Sequence, residues 1–199
     1  METQYNLTLL KNIDQKLKIS KQNQYMRKDA KSDLSIVIVS QMPNKRNKIV
    51  SVNRQTLDLL KYKPSELIKK DMKMLIPVTI AIVHDQIIDD FLEGENTNKD
   101  ANLRRVWVKN SDGNIVPVQI SVQTCISQDK GLYLVAFLER LTMFKTKNFQ
   151  ARCSDAYFLV TDEYGVIVNC SQNFSDDFLN GNAFLEDSRI NIDEIFQGI

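Results

Sequence analysis

The alternation of apolar and polar residues predicts a run of strands and helices through the middle of the chain. The β-branched run DLSIVIVSQ and the segment IVSVN, separated by a polar turn, are expected to form a hairpin of two strands. Asn53 ends the second strand and is typical of a helix N-cap before RQTLDLLKY, because its side chain accepts from first-turn amides. The segment VTIAIVHDQIIDDFLEG then predicts one continuous helix that ends at Gly94.

Three further strands follow, and their side chains alternate between two faces. SDGN, between the first two, is a hairpin turn in which Gly113 can take a positive φ. GLYLVAFLER is apolar on both faces, as expected of a central strand that is covered from both sides. The element order therefore predicts an α+β domain. In the first of these strands one face holds Arg104, Val106 and Val108, and the other holds Leu103 and Trp107.

An N-terminal segment with a different pattern precedes this domain, which we place at 33–141. Residues 1–32 are expected to contain a narrowly amphipathic helix followed by a linker. An apolar stripe of this kind has to cover a sheet or pair with another helix, and both arrangements are open at this point. The stripe consists of Leu10, Ile13 and Leu17.

The order of elements at the start of the domain is repeated after a linker at 142–153. The segment AYFLVTDEYGVIVNCSQNFSDDFL repeats strand, turn, strand, asparagine and helix, with Asn173 in the place of Asn53. Residues 154–199 therefore predict a partial internal repeat. It has counterparts of the first strands, but none of the long helix or of the last three strands.

Charge and cysteine content narrow the functional classes. Among 199 residues, 26 Lys and Arg nearly balance 25 Asp and Glu, so no net field favours nucleic acid or an anionic membrane. The three cysteines are too widely spaced for a zinc site or a redox dithiol, which indicates reduced thiols. No apolar run approaches the roughly 20 residues of a membrane-spanning helix. We expect a cytoplasmic chain that neither binds nucleic acid nor inserts into a membrane.

Candidate catalytic chemistry is sparse in this sequence. It has no nucleophile elbow, phosphate-binding loop or metal-ligand spacing. With a single histidine, the usual general base is almost absent. The adjacent pairs Asp89-Asp90 and Asp176-Asp177 point apart on a helix and do not form carboxylate dyads. We therefore expect neither catalysis nor a metal site.

The segments IVSVN, LLKY, SEL, LIP, FLEGE, KNSDGNIVPVQISV and GLYLVAFLE, in that order, resemble the PAS domain family. The resemblance covers 33–141 and the first half of a second PAS domain over 154–199, and the composition is similar to that of multi-PAS signalling proteins of unicellular eukaryotes. It implies a five-stranded antiparallel sheet with helices on one face, around a small pocket that holds a cofactor, a metabolite or nothing. Glu66 and Lys109 match positions where the family often has a surface ion pair.

The resemblance raises two candidate cofactors, haem and flavin, and the sequence treats them differently. Around the single histidine the sequence is similar to haem-binding PAS domains, which implies His84 as an axial ligand and Arg104 as a contact to bound oxygen. In many PAS domains without haem a histidine at this position only packs, and a lone histidine on an apolar helix is more often a core residue. Flavin adduct chemistry is not expected, because the short helix in LKYKPSELIKKDM has no cysteine and Cys125 lies on a late strand.

The leading hypothesis is a non-catalytic sensory or protein-interaction module in signal transduction, with a pocket open to a small ligand. The apolar outer face of the sheet, with Leu103 and Trp107, needs a cover. The N-terminal stripe is the candidate, from the same chain or from a second copy, so a protein partner or a homodimer is expected. The alternatives are a haem-based gas sensor that uses His84, and a structural protein that assembles through the partial repeat.

Overall fold

The computed structural model describes residues 34–94, 103–127, 131–145, 150–179 and 190–196. The predicted N-terminal helix with Leu10, Ile13 and Leu17 lies outside the described residues, so it stays a prediction. Within the described part of the chain, no helix is long and apolar enough to cross a bilayer.

Five antiparallel strands form the main sheet. They are β1 (Ser35–Ser40), β2 (Ile49–Val52), β3 (Leu103–Lys109), β4 (Ile115–Ser127) and β5 (Gly131–Arg140). Their order across the sheet is β2-β1-β5-β4-β3. In the central strand, Ala136 pairs with Val37 of β1 on one side and with Val122 of β4 on the other. The predicted antiparallel α+β fold, with GLYLVAFLER as a central strand, is confirmed.

Short helices connect β2 to β3 and pack on one face of the sheet. Their apolar side chains share a core with the inner face of the strands, including Leu60, Leu67, Leu75, Ile88, Val118 and Leu138. Burying each such side chain stabilises the fold by about 1.5–3 kcal/mol. The α-helices are α1 (Arg54–Leu60), α2 (Pro64–Leu67), α3 (Val78–Ala81) and α4 (His84–Leu92), and a 3₁₀ turn spans Met72–Leu75.

The predicted continuous helix between Pro77 and Gly94 is wrong, because Ile82 and Val83 separate α3 from α4. The amide of Val83 donates to the carbonyl oxygen of Ile80 at 3.2 Å, three residues back, which tightens the chain into a turn. The segment VTIAIV is dense in β-branched residues, and these lose rotamer freedom in a helix. As a consequence His84 is the first residue of α4 rather than a residue in mid-helix.

Asn53 ties the first helix to the sheet from the N-cap of α1, the position that the sequence pattern assigns to it. Its Oδ1 accepts from the Thr56 amide at 3.0 Å and from the Ile36 amide of β1 at 2.9 Å. The Asn53 amide donates in turn to the Ile36 carbonyl oxygen at 3.2 Å. One side chain therefore fixes both the start of a helix and its register against a strand.

The chain after the sheet contains further short elements. These are β6 (Met143–Lys145), β7 (Gln150–Arg152), β8 (Leu159–Thr161), β9 (Ile167–Cys170), α5 (Gln172–Phe178) and α6 (Ile192–Phe196). β6 pairs with β7, so the segment predicted as a linker at 142–153 carries two paired strands. β8 pairs with β9, and a small core of Ile167, Cys170 and Phe174 lies beneath them.

Ser171 occupies the position in this second part that Asn53 occupies in the first. It directly follows β9 and is the N-cap residue of α5. Its amide donates to the Phe158 carbonyl oxygen at 2.8 Å, and its Oγ accepts from the Phe158 amide at 3.0 Å. These bonds repeat those between Asn53 and Ile36.

The predicted equivalence of Asn173 and Asn53 is therefore wrong. Asn173 lies in the first turn of α5 rather than before it. Its Nδ2 donates to the Ala156 carbonyl oxygen at 2.9 Å, and its Oδ1 accepts from the Ser171 hydroxyl at 2.6 Å. The two asparagines match by residue type, but in the folded chain it is Ser171, two residues before Asn173, that accepts from a backbone amide as Asn53 accepts from Ile36.

Candidate functional site: a cavity between the sheet and the helices

A cavity of about 240 Å³ lies between the inner face of the sheet and the helices. Its wall is almost entirely apolar. This volume is below the roughly 300–1,000 Å³ of pockets for drug-sized ligands, so the cavity suits a small molecule. The sheet contributes Val106, Val122 and Ala136 among others, and the helical side contributes Ile80, Ile87 and Phe91.

His84 is one of the few polar residues in the cavity wall. Its Nδ1 is buried and has no hydrogen-bond partner among the described residues. Burial is the main influence on the ring and lowers the pKa of His84 below its ordinary value, although the neighbouring Asp85 carboxylate acts in the opposite direction. The imidazole is therefore neutral at pH 7 and can offer one ring nitrogen as a donor and the other as an acceptor.

Arg104 is the cationic residue of the cavity wall. It shares the inner face of β3 with Val106 and Val108, as the alternation predicts. The residue as a whole is exposed, which places it at the rim of the cavity, and it takes part in an interaction of its own. Its charge is therefore directed in part to solvent rather than wholly to the cavity interior.

Asp85 holds helix α4 in place beside the cavity. Its Oδ1 accepts from Asn47 Nδ2 at 2.7 Å, and its Oδ2 accepts from Lys73 Nζ at 2.6 Å. The hydrogen bond from Lys73 is the main reason why the pKa of Asp85 lies below its ordinary value. A second pair joins Arg46 to Asp89 one turn further along. These contacts fix the start of α4. No local sequence pattern predicts them, because the partners are 12 to 43 residues apart.

The outer face of β3 is covered by the chain that follows the sheet. The ring centroids of Trp107 and Phe158 lie 6.4 Å apart, and those of Phe158 and Phe144 lie 5.8 Å apart. Trp107 also contributes to the cavity wall, so this one side chain is in contact with both the cavity and Phe158. Leu103 on the same outer face remains 47% exposed. The sequence predicted that the N-terminal stripe covers Trp107, but that stripe lies outside the described residues. The contact with Phe158 was not predicted.

The turn between β3 and β4 makes polar contacts to the same following segment. Gly113 has a φ of +81°, the positive value that the SDGN pattern predicts. Its carbonyl oxygen accepts from Asn169 Nδ2 at 3.1 Å. Asn114, which is almost fully buried, donates through Nδ2 to Gln172 Oε1 at 2.7 Å. Strand β3 and its turn therefore contact residues 158–172 at Trp107, Gly113 and Asn114.

The ion pair that the sequence suggested between Glu66 and Lys109 does not form within the described residues. The Glu66 carboxylate accepts instead from the Lys63 amide at 2.7 Å and caps α2. The pair that joins the helices to the β3–β4 turn is Lys61 with Asp112, at 2.6 Å. Both side chains are largely exposed, so the pair contributes only about 0–1 kcal/mol.

Comparison with known proteins identifies the fold. A family profile described as PAS domain matches residues 33–140. The chain belongs to the PAS domain family. No curated protein matches the sequence. In the part of the chain that the structure describes, no group of His, Cys, Asp and Glu could hold a metal ion.

The chain is also similar to solved PAS domains at low sequence identity. One from Desulfitobacterium hafniense is 13% identical, with a TM-score of 0.46, and the match covers 55% of this chain and 93% of that one. The PAS domain of the RpfR quorum-sensing receptor of Cronobacter turicensis, in complex with C12:0, is 15% identical, with a TM-score of 0.44 and coverage of 57% and 98%. The PAS domain of an HTR-like protein from Haloarcula marismortui is 14% identical, with a TM-score of 0.42 and coverage of 65% and 98%.

Proposed function

We propose that this PAS domain is a non-catalytic sensory and protein-interaction module, in which a small ligand in the cavity alters the contacts of the following segment. Membership of a family of signalling sensory modules supports the general role. One observation carries the proposal: β3 lines the cavity through Val106, Trp107 and Val108, and through Trp107 it also contacts Phe158.

The proposed relay needs only a small movement of one strand. A ligand that fills the cavity contacts Val106 and Val108 directly. Because the surrounding interior is close-packed, these side chains can make room for it only if strand β3 moves. The displaced strand carries Trp107 with it and changes the contact with Phe158. The segment after the sheet thereby becomes the output, whether it acts within this chain or on a partner.

Hydrogen–deuterium exchange of the full chain tests the relay without a known ligand. Ala136→Leu fills part of the cavity from the central strand and imitates occupancy. We expect altered exchange in residues 150–179 as well as in the cavity wall. Ala81→Leu is the matched control, since Ala81 does not line the cavity. If exchange changes only around residue 136, or equally in both variants, the relay is rejected.

The interaction half of the proposal concerns the exposed part of the outer sheet face. Leu103 is the exposed apolar residue there, and the predicted partner or homodimer would cover it. Sedimentation of the full chain and of Leu103→Lys measures this directly. We expect a concentration-dependent dimer that Leu103→Lys weakens, with Ser65→Lys, at an exposed position on helix α2 away from this face, as the control for added charge. A monomer at all concentrations contradicts the homodimer.

A haem-based gas sensor is the alternative raised by the sequence. In its favour, His84 and Arg104 both line the cavity. An iron-bound histidine ordinarily donates its second ring N–H to a carboxylate, a carbonyl or water, but no described residue accepts from His84 Nδ1. The cavity is also small for a planar macrocycle. The residues present therefore do not fit haem.

A further inference from the structure

The buried Nδ1 of His84 sets a chemical requirement on whatever occupies the cavity. Native proteins rarely leave a buried polar atom without a partner. The neighbouring acceptor, the Asp85 carboxylate, is already held by Asn47 and Lys73. No described side chain or carbonyl pairs with Nδ1, and apart from Arg104 and Trp107, whose indole Nε1 also has no partner among the described residues, the cavity wall is apolar. Because His84 lines the cavity, a molecule bound there is the candidate partner for this ring nitrogen.

We infer that the cavity binds a small, uncharged and mainly apolar molecule with one hydrogen-bonding group, and that this group pairs with His84. The inference rests on the proposed function, since it names the ligand class of the same cavity. A hydroxyl group fits best because it can both donate and accept, and so it satisfies either tautomer of a neutral imidazole.

The charge of the ligand follows from the surroundings of the cavity. An ionised group inside an apolar wall loses its hydration, and that loss has to be offset by a paired opposite charge. Arg104 is the available cation, but it lies at the exposed rim and has an interaction of its own. A carboxylate placed deep enough to reach His84 would gain little from it.

The volume of the cavity limits the ligand to about one ring with a short substituent. A cavity of about 150 Å³ in another protein holds benzene, so about 240 Å³ leaves room for one or two further non-hydrogen atoms. Three compounds of matched shape differ only in the group that would meet His84. They are cyclohexylmethanol, methylcyclohexane and cyclohexanecarboxylate.

Trp107 provides the measurement, because it is the single tryptophan and lines the cavity. Titration of the full chain with each compound, followed by tryptophan fluorescence, gives three dissociation constants. We expect cyclohexylmethanol to bind about 3–10-fold more tightly than methylcyclohexane, the gain of one neutral hydrogen bond. Cyclohexanecarboxylate is expected to bind at least 10-fold more weakly than the alcohol.

Variants of His84 assign the preference to its ring. His84→Phe removes the hydrogen bond, and we expect it to bind the alcohol and the hydrocarbon equally. His84→Gln keeps a donor and an acceptor and should retain most of the preference, which controls for damage to the fold. Ala136→Leu reduces the cavity and should abolish binding of all three compounds.

The remaining outcomes separate this inference from the proposed function. Equal affinity for alcohol and hydrocarbon in the wild-type chain overturns the role of His84 and leaves the cavity as a ligand site. If the carboxylate binds most tightly, the inference that the ligand is uncharged is wrong, and Arg104 rather than His84 determines which ligand binds. No binding of any compound overturns the inference as a whole, while the exchange experiment with Ala136→Leu still tests the relay.

Discussion

Trp107 and Phe158 stand 51 positions apart in the sequence, and their rings meet with centroids 6.4 Å apart and planes inclined at 54°. Tilted aromatic pairs at this distance are favourable beyond the area they bury. The contact joins the edge strand of the PAS sheet to the residue that Ser171 clamps at the start of the next hairpin. A side chain of the PAS domain is thus in contact with the segment that follows it.

Truncation of this aromatic pair is expected to destabilise the protein. Trp107→Ala should lower the free energy of unfolding by slightly less than the about 3–5 kcal/mol typical of buried tryptophan, since Trp107 is half-buried. Urea unfolding of Trp107→Ala, Phe158→Ala and the double variant gives their coupling, for which we expect about 0.5–1.5 kcal/mol. Additive effects would show that the two rings do not stabilise each other.

Loss of the Asn53 side chain should weaken the attachment of helix α1 to strand β1, because the hydrogen bonds that join them are removed. Asn53→Ala removes the acceptor for the Thr56 and Ile36 amides, and we expect a loss of about 1–2 kcal/mol in the free energy of unfolding. Asn53→Asp replaces the amide oxygen with a carboxylate oxygen that can accept the same bonds, and it should retain most of the stability. An equal loss in both variants would indicate that the amide group, rather than the acceptor oxygen, is what the fold needs.

The buried histidine makes stability depend on pH in a defined window. Because burial lowers the pKa of His84 in the folded protein, the unfolded chain binds more protons at mildly acidic pH. Stability is therefore complete above the unfolded value of about 6.5 and falls as the pH is lowered through it. Thermal melts between pH 7.5 and 5 should show this fall, and His84→Gln should flatten it. Asp85 remains ionised in this window because its pKa is lowered.

Haem supplementation should leave the protein without a haem spectrum. The missing acceptor at His84 Nδ1 and the small cavity both oppose axial ligation. We expect no Soret band after incubation with haem, reduction and exposure to carbon monoxide. A sharp band that shifts with carbon monoxide and disappears in His84→Ala would instead establish the haem sensor.

The sequence predicted the sheet well because a strand with one buried face repeats every second residue. The strand of Val106 and Val108 is an example, and its turn was marked by the residue type that Gly113 requires. The break between helices α3 and α4 was harder to predict. The spacing of apolar residues around Ile82 is typical of a helix, but the β-branched residues beside it disfavour one. Contacts such as Trp107 with Phe158 have no local signal, since they arise from side chains far apart in the chain.

The attachments of Gly113 to Asn169 and of Asn114 to Gln172 lie across the end of the family match at residue 140. A domain boundary placed at residue 140 by sequence similarity therefore separates residues that are joined by hydrogen bonds in the folded protein. A shortened chain of residues 33–140 would present the ring of Trp107 and the nearly buried amide of Asn114 to water. We expect the cooperative unit of folding to extend beyond residues 33–140, the range that the PAS family profile matches.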